Sequence, residues 1–155
     1  MRIYGVQFDS VAPLPFKARL QALYINGRFA VKPDYGPGRV YIDVNGTDPR
    51  GAFWRDIEKG DGTPAGVPGW LDERRAAGLG AGGIYCDRDN LPAVEAAAGA
   101  RPHLLWVATL DGTMNIGPVP GAGVLAAVQV FPAVMLGFNA DLSVVVDPGY
   151  WERAL

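Results

Sequence analysis

The stretch Phe53–Ala108, FWRDIEKGDGTPAGVPGWLDERRAAGLGAGGIYCDRDNLPAVEAAAGARPHLLWVA, decides the fold. It holds three apolar runs, Phe53–Ile57, Ile84–Cys86 and Leu104–Ala108. Between the first two, Thr63-Pro64 offers an N-cap and a first-turn proline. Trp70–Ala77 continues with good helix formers until Gly78 stops it. Between the second and third, Asn90 precedes Leu91-Pro92, and Ala93–Ala98 follows until Gly99. Strand, helix, strand, helix, strand is the order of right-handed βαβ units. Most of the chain's apolar runs are continuous rather than alternating, as in strands buried on both faces of a parallel sheet.

Five further runs flank this stretch: Ile3–Phe8, Leu23–Ile25, Val40–Val44, Val124–Phe131 and Leu142–Val146. The gaps in the first half are short and rich in Pro13, Pro15, Pro33, Gly36, Pro37 and Gly38. Parallel crossovers usually need a dozen or more residues, so these connections have little room for helices. Eight strands predict an α/β fold, a reduced (β/α)8 TIM-like barrel with short first-half connections, as one domain over 1–155. Such barrels typically take about 250 residues, so this one is stripped. The rival is an open α/β sheet with fewer strands.

Composition excludes several classes. The 155 residues are 49% hydrophobic and 19% charged, which excludes intrinsic disorder. A net charge of -2 leaves no basic excess for nucleic acid. One cysteine, Cys86, excludes an internal disulfide framework and a cysteine zinc site, and it reads as a small buried residue. His103 is the sole histidine, and it reads as structural or exposed. The N-terminal MRIYGVQFDS carries an acid and no long apolar run, unlike a secretory signal. The apolar run Gly121–Phe138 is broken by Gln129, Pro132 and Gly137, so no membrane span is expected. The GLGAGG of Gly78–Gly83 lacks a following GK[ST] and leads into a strand, so it is not a phosphate loop.

The sharpest chemical feature is Asp56-Ile57-Glu58, with Asp61 close behind. Residues i and i+2 of a strand face one way, so Asp56 and Glu58 share a side at a strand's C-terminal end. In a barrel that end carries the active site. Paired carboxylates cleave glycosidic bonds: one is held protonated for the leaving oxygen and the other stays ionised. The tripeptide is also short and common, and equally describes an exposed acidic turn. Asp9, Asp43 and Asp111 stand in or after other runs, and Asp141 opens the last. Gln129 interrupts AAVQVF and needs a partner if buried. Among the aromatic residues Trp54, Trp70, Trp106, Trp151, Tyr4, Tyr24 and Tyr85, Trp106 is the best ligand-facing candidate, near the end of its run.

Taken in order, Gln7-Phe8-Asp9-Ser10, Tyr24-Ile25-Asn26-Gly27-Arg28, Ile42-Asp43-Val44, Asp56–Pro64, Pro68-Gly69-Trp70, Gly83–Cys86, Leu105–Ala108, Val128-Gln129 and Asp141-Leu142-Ser143 resemble the glycoside hydrolase family 25-like proteins of actinobacteria and their phages. These are relatives of the lysozyme-type muramidases. The likeness runs over nearly the whole chain and is most specific from Asp56 to Trp70. It implies Glu58 as general acid, Asp56 as its partner and Asp9 at the first strand end. It implies Asp141, Gln129, Trp106 and Asp43 around the substrate. It further implies peptidoglycan or a cell-surface glycan as partner, no metal or organic cofactor, and a place in the virion or at the host wall after release. The chain departs from the family pattern at Asp9, which comes late. It departs again at Thr109 and Leu110, where a histidine and an aromatic are usual, and in VFPAV after Gln129.

Three functions follow from these expectations. One is a muramidase-like hydrolase. The second is a catalytically inactive virion protein, a tail or capsid decoration module on the same barrel. The third is a glycan-binding module with an open groove.

Overall fold

The computed structural model describes residues 1–11, 14, 18–34, 36–132 and 140–150. Eight strands form a closed barrel in sequence order. They are β1 (Gly5–Ser10), β2 (Gln21–Tyr24), β3 (Arg39–Asp43), β4 (Trp54–Ile57), β5 (Gly83–Asp87), β6 (His103–Ala108), β7 (Gly123–Phe131) and β8 (Ala140–Val145). Each overlaps one of the eight apolar runs. Two helices, α1 (Val67–Ala76) and α2 (Leu91–Ala98), fill the β4–β5 and β5–β6 connections. Among the described residues no other crossover carries an α-helix, so the barrel is dominated by strands.

Strand direction departs from the all-parallel expectation. β1 through β7 pair in parallel. β8 pairs antiparallel with both β7 and β1. Over the eight residues between the end of β7 and the start of β8 the chain turns back, and β8 begins at the barrel end where β1–β7 finish. Asp141, its second residue, thereby reaches the same mouth as the other strands' C-terminal residues.

Side chains alternate in and out along the strands. The interior holds Leu20, Ala22, Val40, Ile42, Trp54, Tyr85, Leu104, Trp106, Ala127, Val145 and Tyr150. Trp54 and Trp106 meet edge to face at 5.5 Å, and Tyr85 lies 4.6 Å from Trp106. Gly83 is opposite Trp54 in the β4–β5 register, and a β-carbon there would stand 2.2 Å from the indole. Outside, Ile57, Ile84, Cys86, Leu105 and Val107 pack under both helices. α1 buries Val67, Trp70, Leu71 and Arg74, and α2 buries Leu91, Val94, Glu95 and Ala98. That i, i+3, i+4, i+7 spacing is one helical face.

The expected caps act differently. Thr63 precedes a short 3-10 turn, Pro64–Gly66, and makes no side-chain capping bond. Asn90 stands at the α2 N-cap, but its Nδ2 donates to the Ile57 carbonyl at 3.3 Å and to Asp87 Oδ2 at 3.0 Å. It ties the ends of β4 and β5 together instead. His103 is buried, with Nε2 2.7 Å from Glu95 Oε1 and Nδ1 2.8 Å from the Arg101 carbonyl. Trp151 lies outside the described residues. Among those described, no helix is long and apolar enough to cross a membrane.

Candidate active site

Inward parity near the strand ends decides which polar residues meet at the mouth. Asp9 on β1, Tyr24 on β2, Asp56 on β4, Tyr85 on β5, Gln129 on β7 and Asp141 on β8 point inward there. Asp9 and Asp141 are direct register partners. The Gln129 amide sits between them. Nε2 donates to Asp9 Oδ1 and Oδ2 at 3.2 and 3.3 Å and to Asp141 Oδ2 at 2.8 Å. Its carbonyl accepts the Tyr85 hydroxyl at 2.5 Å. Tyr24 donates its hydroxyl to Asp9 Oδ2 at 3.4 Å. Gln129, fully buried, thus has both ends of its amide paired.

These partners shape the electrostatics. Burial, then the neighbouring Asp141 charge, pushes the Asp9 carboxyl well above its ordinary range, and Glu58 adds to the rise. Glu58 is lifted from 4.5 to about 7, first by burial; the Tyr85 hydroxyl opposes the shift, and Asp87, Asp61 and Asp141 add to it. Asp56 is pushed well up by burial, then by Glu58 and Asp61. Oxygens of Asp56, Glu58 and Asp61 lie within 4.8 Å of one another. Glu58 and Asp61 border an open hollow of about 570 Å³ together with Asp87 and Asn90. Asp9, Tyr24, Phe29 and Asp141 border a second, of about 200 Å³. Glu58 at pH 7 is therefore divided between an acid able to donate and a carboxylate able to accept.

Two expected substrate contacts lie elsewhere. Trp106 does not line a groove. It is fully buried, with its indole N–H donated to Ser143 Oγ at 2.9 Å. Its inward parity at mid-strand places it one layer below the mouth. Asp43 does not face the substrate side either. The inward residues of β3 are Val40 and Ile42, so Asp43 projects outward. There it accepts Trp70 Nε1 at 3.1 Å, Asn26 Nδ2 at 2.7 Å, and the N–H groups of Gly46, Thr47 and Asp48. It organises the loop after β3. Asp111 lies exposed beyond β6, paired with Arg88 at 3.3 Å.

The hydroxyls of Tyr24 and Tyr85 belong to the carboxylate network, although the sequence presents them as core or stacking residues. The inward parity that Tyr85 shares with Trp106 and Gln129 was the available signal. Asp87 shares that parity, two residues after Tyr85 at the end of β5, so the same signal was available for it.

No protein-family model and no curated protein matches the chain. Among solved structures, the chain resembles an uncharacterized protein of B. stearothermophilus at TM-score 0.66 and 12% identity, covering 95% of this chain and 98% of that one. At that identity the likeness speaks for the barrel alone.

Proposed function

We propose that this chain is a reduced (β/α)8 barrel of the glycoside hydrolase family 25-like kind, and that it hydrolyses glycosidic bonds of peptidoglycan with Glu58 as general acid. The observation that carries the reading is Glu58 itself. A carboxyl with pKa about 7 borders an open hollow at the barrel mouth, with a second group of carboxylates beside it. Such an acid donates its proton to the leaving glycosidic oxygen at neutral pH.

The rest of the mouth fits the accompanying charge. Cleavage leaves positive charge on the sugar ring, and nearby carboxylates stabilise it. Asp141 is partly exposed and takes an amide N–H from Gln129, so it is suited to that task. Asp9, fully enclosed and beside it, adjusts the pair. Oxygens of Asp56 and Glu58 lie within 4.8 Å of one another, short of the roughly 6.5–9.5 Å that separates the carboxyls of inverting enzymes.

One observation favours a non-hydrolytic module of virion or wall on the same barrel: Trp106, the expected sugar platform, is withdrawn into the core. Dye release from purified peptidoglycan separates the readings. Turnover by wild type that vanishes in Glu58→Gln supports the hydrolase. Absence of turnover from folded wild type, with retained binding to the same walls, supports the module.

A further inference from the structure

The peptide Asp56-Ile57-Glu58-Lys59-Gly60-Asp61 has a second capacity. It places three carboxylates at positions i, i+2 and i+5. β4 sets the first, and the chain carries Glu58 on to the same side. The N–H of Asp61 then donates to the Glu58 carbonyl at 3.1 Å, which closes a tight turn with Gly60 at φ +96°. That turn brings Asp61 back over the strand end. One oxygen from each residue falls within 4.8 Å of the other two.

An independent feature is the state of Asp56. It is 2% exposed, and its Oδ1 has no hydrogen-bond partner. The adjacent Arg55 guanidinium lowers its carboxyl through charge alone and gives its Nη1 hydrogen bonds elsewhere. Arg55 points to the outer face and gives Nη1 to the carbonyls of Asp43 and Val44. A buried carboxylate oxygen without a donor costs about 1–3 kcal/mol or more, and a cation would offset it. Charge around the hollow acts the same way: Glu58, Asp61, Asp87 and Asp89 border it, against Lys59.

We propose that Asp56, Glu58 and Asp61 bind one calcium ion at the barrel mouth. Carboxylate oxygens select a hard cation. Carboxylates on a turn suit calcium, whose oxygen shell is flexible, better than magnesium, which demands near-ideal octahedral geometry. Three protein ligands leave the remaining positions to water, so affinity is modest. For its effect on turnover the inference rests on the hydrolytic reading. Bound calcium engages the Glu58 oxygen that would otherwise hold the proton, and hydrolysis falls as calcium rises.

The test uses the full chain, stripped with EDTA and titrated with calcium chloride by calorimetry, with the melting temperature followed in parallel. One site per chain is expected, together with a rise in Tm at saturation. Asp61→Asn, at an exposed position, is expected to weaken binding at least tenfold. Magnesium is expected to bind more weakly than calcium. No heat and no Tm change at millimolar calcium would overturn the site. So would unchanged affinity in an Asp61→Asn protein that melts normally. Dye release, run with calcium and with EDTA, keeps the two ideas apart. Calcium binding without any turnover leaves the cation site standing and removes the hydrolase. Turnover with no calcium binding does the reverse.

Discussion

Asp9 and Asp141 face one another across the antiparallel pair of β1 and β8, and the Gln129 amide nitrogen bridges them at 2.8–3.3 Å. Two carboxylates in direct register repel, and here a third strand supplies the donor between them. The Tyr85 hydroxyl fixes which way the amide points. Gln129→Leu keeps the volume and removes both functions, taking away the acceptor of the Tyr85 hydroxyl and the donor that Asp9 and Asp141 share. We expect a loss of about 2–4 kcal/mol of unfolding free energy, read by urea denaturation at pH 7. A loss within 0.5 kcal/mol, about the range of an indifferent substitution, would show that the amide does not hold the pair.

Glu58 gives a pH dependence of defined sign. Its folded pKa of about 7 lies above its ordinary 4.5. Between those values the folded state holds more of the proton than the unfolded chain does. Stability from this group is therefore complete below about 4.5 and declines as pH rises through 7. The difference corresponds to on the order of 3 kcal/mol. Glu58→Gln cannot ionise, so it should melt higher than wild type at pH 8 and lose that decline. Thermal melts of both proteins from pH 4.5 to 8.5 provide the check. Parallel curves would mean that Glu58 is not perturbed by its surroundings.

Much of this barrel was readable from apolar runs, and the reason is physical. Strands buried on both faces are largely apolar, so β5 and β6 announce themselves, as do the helices that end at Gly78 and Gly99, whereas β4 is legible through Phe53, Trp54 and Ile57 around its two charged residues. Direction is another matter. Nothing in Leu142–Val146 distinguishes a parallel from an antiparallel strand, and the interval after Phe131 is no shorter than the one between Val44 and Phe53, which joins parallel strands. Facing was the second gap. A continuous apolar run hides its parity, so Asp43 and Asp56, each near the end of a run, looked alike. Only the registers show that Asp43 points out toward Trp70 and Asp56 points in. Trp106 likewise occupies an inward position, but one layer too deep to meet a ligand.

Asp43 should behave as a structural acid with the opposite pH sign to Glu58. Burial alone would raise its carboxyl, but the hydrogen bonds from Asn26, Asp48, Gly46 and Trp70 outweigh that and hold it below the ordinary range. Its stabilisation is present above about pH 4, the usual aspartate value. It is lost as pH falls through the lowered folded pKa. Asp43→Asn presents only one acceptor oxygen to several donors, and we expect it to cost about 1–3 kcal/mol at pH 7. It should also flatten the stability loss on acidification. Acid titration followed by circular dichroism would settle this, and equal acid midpoints for variant and wild type would contradict the assignment.

Trp106 supplies the sharpest contrast between a residue that looks like a ligand platform and one that fills a barrel. Its indole bonds Ser143 across the interior and meets Trp54 edge to face. Trp106→Phe removes the donor, leaves Ser143 without its indole partner and opens space in a layer that also holds Tyr85. A destabilisation of about 1–3 kcal/mol follows from the lost bond and the partial void. Because Asp9, Glu58 and Asp141 stand above this layer, the affinity for peptidoglycan fragments that the proposed function calls for should change less than twofold in protein that remains folded. Binding measured by calorimetry beside chemical denaturation separates the two effects. Intact stability with affinity reduced tenfold would return Trp106 to the groove; lost stability with intact affinity keeps it in the core.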